Sequence, residues 1–178
     1  MPTSLAMLSA LVLLLAGSPA AAPASAVRDE SDAAEVIAKF KEKDPGLAST
    51  FASAAGYAVF PTVAKGGLGL GGARGKGYVY ERGRLIGRST LTQVTIGLQL
   101  GGQAYSEVVF FKTPAALESF KRGKLKLDAQ ASAVALTARA AADLAYRDGV
   151  AIVTMAKGGL MYEASVGGQK FSFKAAGA

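Results

Sequence analysis

The stretch YAVFPTVAKGGLGLGGARGKGYVYERGR, Tyr57 to Arg84, decides how the chain is read. It opens on a short apolar run, passes Lys65 into a set of glycines, and resumes with Tyr78, Val79 and Tyr80 before Arg82 and Gly83. A strand that enters a tight glycine turn and returns as a second strand accounts for each of these features. The phrase recurs: TVAKGGL at Thr62 to Leu68 comes back as TMAKGGL at Thr154 to Leu160, after the apolar run GVAIV at Gly149 to Val153. The repeat marks two structurally equivalent strands and admits an internal pseudo-twofold relation, while two copies are too few for a solenoid.

Within this stretch GLGLGG, Gly67 to Gly72, formally satisfies G-x-G-x-x-G. A dinucleotide site needs a helix directly after the glycines, and ARGKGYVYERGR reads as a hairpin instead. Gly75-Lys76 lacks the first glycine of a phosphate-binding loop, since Leu70 stands there.

Outward from the hairpin the chain reads as helix first and sheet afterwards. Ala33, Val36, Ile37 and Phe40 recur at the spacing of one helix face between Asp32 and Lys43. Asp44 and Pro45 start a second helix carrying Leu47 and Phe51 and ending at Gly56. Arg88 to Leu100 alternates, Gly101-Gly102 turns, and QAYSEVVFF follows as an antiparallel partner. Thr113 caps a third helix with Pro114 at its first position and Gly123 past its end. Lys124 to Ala133 alternates again, and the alanine-rich run Thr137 to Tyr146 suits helix by propensity or sheet by continuation. With 22 glycines, most of them in or beside the expected strands, the sheet is expected to bend strongly. The fold class is α+β: a curled or barrel-like antiparallel sheet with N-terminal helices and one further helix.

Residues 1–26 have the layout of a cleavable secretory signal: an apolar run from Leu5 to Ala16, a Gly17-Ser18-Pro19 break, and Ala24-Ser25-Ala26 before the cut. Export to the periplasm or cell envelope, or secretion, is expected. The absence of cysteine excludes a disulfide framework and a lipid-modified N-terminal cysteine. Residues 27–43 then form an amphipathic helix and 44–178 the main domain. Deleting 27–43 is expected to leave that domain folded, because the patterned strands lie after it.

Charge is unevenly placed. Arg28 to Asp44 holds six acids and four bases, which leaves sixteen bases against seven acids elsewhere, a net of +9. A cationic body in an exported chain points to polyanions. With neither His nor Cys, Ser-His-Asp and Cys-His nucleophile systems and the usual zinc sets cannot be built, and the acids beyond Asp44 form no clustered pair. No enzymatic activity, cofactor or metal is expected. Lys65, Arg74, Lys76, Arg82, Arg84 and Arg88 stand against the single acid Glu81, with Tyr57, Tyr78 and Tyr80 interleaved, the composition that an anionic membrane surface favours. Lys121, Arg122, Lys124 and Lys126 form a second cluster, and Lys157 is the lysine of the second repeat. No nucleic-acid-binding motif is present.

AVFPTVAKGGLGLGGARGKGYVY, TIGLQLGGQAYSEVVFFKTPAALESF and VAIVTMAKGGLMYEASVGGQKF, in this order, resemble the SYLF domain, the lipid-binding domain of eukaryotic actin-regulating adaptors, in an exported bacterial form. The resemblance implies binding of phosphoinositides or other anionic phospholipids at a membrane surface. It maps the family's amphipathic helix onto Asp32 to Lys43, with Lys39, Lys41 and Lys43 as membrane contacts, and its strand-lysine-glycine block onto Thr62 through Gly77. The body of the domain, more than the helix, is expected to carry the binding, because acids partly cancel the helix's lysines. The alternative expectation is a structural or stress-related envelope protein whose charge serves a protein or glycan partner.

Overall fold

Runs of apolar residues without alternation mark strands buried on both faces, and three such runs form the centre of the sheet. The computed structural model describes residues 24–68, 70–96, 102–125, 127, 132–158 and 164–177. Its elements are α1 (Ala24–Lys43), α2 (Leu47–Ser53), β1 (Gly56–Leu68), β2 (Leu70–Glu81), β3 (Arg84–Ile96) and β4 (Gly102–Phe111). They continue with α3 (Pro114–Lys121), β5 (Ser132–Ala135), β6 (Val150–Lys157), β7 (Ala164–Ser165) and β8 (Lys170–Ala175). The strand order is β7-β5-β6-β4-β1-β2-β3-β8. The fold is α+β, as its sequence pattern implies.

Two features refine the expected sheet. It is mixed, because β5 runs parallel to β6 while the other pairs are antiparallel. It also stays open, with β7 and β8 at its edges. Yet residues 166–169 alone join those edges, and five Cα steps span at most about 18 Å. The sheet must therefore curl until its edges approach each other. The concave face packs Phe60, Tyr105, Val109, Phe111 and Leu91 against α3 and Phe171. The convex face packs Tyr57, Val59, Val108, Phe110 and Val153 against α1 and α2.

This second core corrects the reading of the N-terminal helix as separable. Ala33 and Phe40 are fully buried and Val36 nearly so, because the central strands present large apolar side chains on their convex side too, and these need a cover. Asp44 fastens the cover: its Oδ1 accepts from the backbone N–H of Gly46 and its Oδ2 from that of Ala141, 2.7 Å away. That tie reaches the segment 137–146, in which 138–143 form turns and the rest is neither helix nor strand. Local propensity there yields to a tertiary hydrogen bond. The third helix is capped as its sequence implies, with the Thr113 hydroxyl accepting from the N–H of Ala116 and Gly123 at φ 65°.

After the glycines at the hairpin turn the chain enters β2, not a helix, so the dinucleotide reading fails on geometry. Gly77 is required by close approach: a Cβ there would lie 2.5 Å from the Phe60 ring.

The two repeat copies lie on β1 and β6, which flank β4 and run in the same direction. A twofold normal to the sheet would reverse strand direction, so it does not relate them. Their lysines diverge: Lys65 stands across from Gln103 and Lys157 across from Ala104, neighbouring positions whose side chains point to opposite faces. The cause is a register shift in β1 between Phe60 and Val63. Pro61, which has no N–H for the ladder, sits inside it, and its carbonyl accepts from the Ser106 hydroxyl at 2.8 Å. The last residues of the second copy, 159–160, and Met161, Tyr162 and Glu163 after it lie outside the described residues, as do residues 1–23 of the expected signal segment and Lys126.

Candidate functional site

The helices cover only part of the convex face. Beyond them β2, β3 and β8 present a wing, exposed at its cations and buried at Tyr78 where it joins the second core, whose composition follows from alternation along three strands. Arg74 stands across from Thr92, and Thr92 across from Lys170; Lys76, Thr90 and Ser172 form the next row, and Tyr78, Arg88 and Lys174 the third. Neighbours within a row are about 4.8 Å apart and rows about 6.7 Å apart. Five of these nine positions are cationic, two are threonine, one is serine and one is tyrosine, so the patch contains no acid. All five cations are exposed, and among the described residues none of them forms an ion pair. The Arg88 guanidinium lies 5.8 Å from the Tyr78 ring centre, which holds its planar fork over the strand.

Two hollows indent the wing. One, of about 290 Å³, lies among Lys76, Arg88, Thr90, Ser172 and Lys174. The other, of about 450 Å³, lies between Arg74 and Lys76 on β2, Thr62 on β1, and Asp32 on α1. Asp32, two turns into α1, thus borders the basic wing.

The sequence-derived candidates separate by position. Arg74, Lys76 and Arg88 come together on the wing. Lys157 shares the convex face and donates to the Thr62 hydroxyl at 2.7 Å. Lys65 points the other way, into the concave side, where partial burial holds its ammonium below the usual lysine range. Arg82 and Arg84 sit at the β2–β3 turn, about 23 Å along the strand from Arg74. Arg82 there borders a cleft with Glu81 and Lys112. On α1, Lys39 pairs with Glu35, Lys41 lies over the Phe51 ring at 5.1 Å, and Lys39 and Lys43 line a hollow beside Leu136 and Met155. Those three lysines are exposed, but the apolar side of their helix is spent on the core. In the second cluster Lys121 pairs with Glu118. Lys170, Lys174 and the hydroxyl residues between them were absent from the sequence-based site. Their alternation in QKFSFK was a usable signal, but the pairing of β8 with β3 was not.

The concave interior holds a different polar group. Glu107 on β4 is completely buried, and its Oε2 accepts from Gln169 Nε2 at 3.0 Å. Burial pushes its carboxyl up to about 7, and the Gln169 bond offsets only part of that rise. Tyr105 beside it is also raised, by burial first and then by the Glu107 charge. Between about pH 4.5 and 7 the folded chain keeps a proton that the unfolded chain releases, so this group makes stability fall as pH rises, by up to about 1.4 kcal/mol per unit, and adds no slope above about 7. Glu107→Gln removes that term. Thermal unfolding from pH 5 to 8 should show a falling Tm in the parent and a flatter profile, with a higher Tm at pH 8, in the variant.

Among the described residues no helix is long and apolar enough to cross a membrane, and no group of three His, Cys, Asp or Glu could hold a metal ion. No curated protein matches the chain. Residues 92–176 match the family model Ysc84, described as Las17-binding protein actin regulator. The match begins inside β3 and runs through β8, so it includes the strand that completes the basic wing. The segment that resembled a SYLF domain by its motifs and the segment that matches Ysc84 coincide from β3 onward, and over residues 92–176 the chain matches the SYLF (Ysc84) domain family model.

Proposed function

We propose that this domain binds anionic phospholipid at a membrane surface through the convex wing of β2, β3 and β8, without catalysis, in the cell envelope after export. The family is one of lipid-binding or actin-regulator-related domains, which supports the general class. One observation carries the reading: the wing gathers Arg74, Lys76, Arg88, Lys170 and Lys174, all exposed, among nine strand positions that include no acid, with Asp32 of α1 at its border. Each such cation contributes about 1 kcal/mol beside an anionic surface, and the contribution falls within a Debye length. Phosphoinositide-like headgroups satisfy the same surface, as do the simpler acidic phospholipids of an envelope.

Vesicle co-sedimentation tests this. Binding should rise with the mole fraction of phosphatidylglycerol in phosphatidylcholine vesicles and fall at least tenfold between 0.05 and 0.5 M salt, values chosen to span Debye lengths from roughly 14 to 4 Å. Binding that ignores both lipid charge and salt would remove the proposal. The family description names a protein ligand, which favours a second reading in which the wing meets an acidic protein. That reading predicts no vesicle binding and capture of a defined acidic envelope protein.

A further inference from the structure

The smaller hollow on the wing is more specific than a charged surface needs to be. Lys76, Arg88 and Lys174 stand at three corners around Thr90 and Ser172, on three adjacent strands, with the whole hollow about 290 Å³ in volume. From these we infer that the hollow is a binding site for a terminal phosphomonoester, the shared chemistry of a phosphatidic-acid-type headgroup and of a free sugar or glycerol phosphate. The inference deepens the membrane reading above and rests on it.

Charge, donor number and access each favour a phosphomonoester here. A phosphomonoester carries about −1.5 to −2 charges at pH 7 and three strong acceptor oxygens. A phosphodiester carries one charge and has substituents on both sides, so it can lie on a basic surface but enters a recess poorly. The hollow is lined by three cations and by four hydroxyl residues, Tyr78, Ser89, Thr90 and Ser172, with no competing carboxylate among its lining residues. Within its row the spacing of about 4.8 Å brings Lys76, Thr90 and Ser172 side by side, and Arg88 and Lys174 stand one row away, about 6.7 Å. Arg88 is pre-positioned by the Tyr78 ring, and a planar fork suits two phosphate oxygens at once. The second hollow lacks this character, since Asp32 lines it.

The test compares vesicles of phosphatidic acid and of phosphatidylglycerol, both diluted in phosphatidylcholine to equal zeta potential, against the full chain, Lys174→Gln and Arg82→Gln. The expected result is a preference of at least tenfold for phosphatidic acid in the parent and in Arg82→Gln, and a preference below threefold in Lys174→Gln. Circular dichroism checks that each variant is folded, and the ratio between the two lipids is a readout that a general loss of charge does not move. Competition of the phosphatidic acid binding by millimolar glycerol 3-phosphate supports a hollow that reads the phosphate alone. Preference without competition supports the same hollow filled only by a headgroup held at a surface. Equal binding of the two lipids, or a preference that survives Lys174→Gln, overturns the inference and leaves the membrane reading intact. No binding to either vesicle overturns both.

Discussion

Replacing Phe40 with alanine is expected to destabilise the domain by about 3–5 kcal/mol. The ring is fully buried on the inner face of α1, in the cluster that includes Leu47, Phe51, Tyr57, Phe110 and Val153, so its removal leaves a cavity between helix and sheet. That loss is a large share of the 5–15 kcal/mol that typical domains possess. Urea unfolding followed by circular dichroism measures it as a lower midpoint at unchanged slope. Deleting residues 24–43 should go further and abolish cooperative unfolding, since Ala33, Val36 and Phe40 leave together and uncover the convex core. A deletion that unfolds cooperatively near the parental midpoint would return α1 to the status of a free arm.

The second large effect is on binding. Lys76→Glu combined with Arg88→Glu is expected to weaken anionic vesicle binding at least thirtyfold. Each cation contributes about 1 kcal/mol near headgroups, and losing two gives about 2 kcal/mol, a factor of roughly thirty at 1.4 kcal/mol per decade. Reversal adds repulsion, so thirtyfold is the lower bound. Both side chains are exposed, and Arg88 gives up only its approach to the Tyr78 ring, so the fold should survive. Binding isotherms at low salt and a thermal unfolding trace read the two quantities separately.

Much of the fold was legible because its signals are local. The antiparallel pairing of β1 with β2, the Thr113-Pro114 start and Gly123 stop of α3, and the helical spacing of Ala33, Val36 and Phe40 each need only a few consecutive residues. What was not legible depends on pairings distant in sequence. Nothing near Lys170 announces that β8 lies against β3, and without that pairing the basic wing loses two of its five cations. Lys65 and Lys157 read as equivalent because the phrase around them repeats, but one register shift beside Pro61 sends them to opposite faces. The role of α1 was misjudged for a related reason. YAVF, VVFF and VAIV are continuous apolar runs, and a strand of that kind has two faces to bury, one of which falls to the N-terminal helix. The alanine-rich segment at 137–146 followed neither of its propensities because Asp44, far earlier in the chain, holds its backbone.

The central claim is that a particular face, and not net charge, meets the membrane. Arg82 and Arg84 at the β2–β3 turn supply the control, because reversing them changes the charge of the chain by the same amount as reversing Lys76 and Arg88. The decisive measurement is the affinity of Lys76→Glu/Arg88→Glu and of Arg82→Glu/Arg84→Glu for the same phosphatidylglycerol-containing vesicles at the same ionic strength. The wing account predicts a loss of at least thirtyfold for the first pair and less than fivefold for the second; equal losses from the two pairs would contradict it.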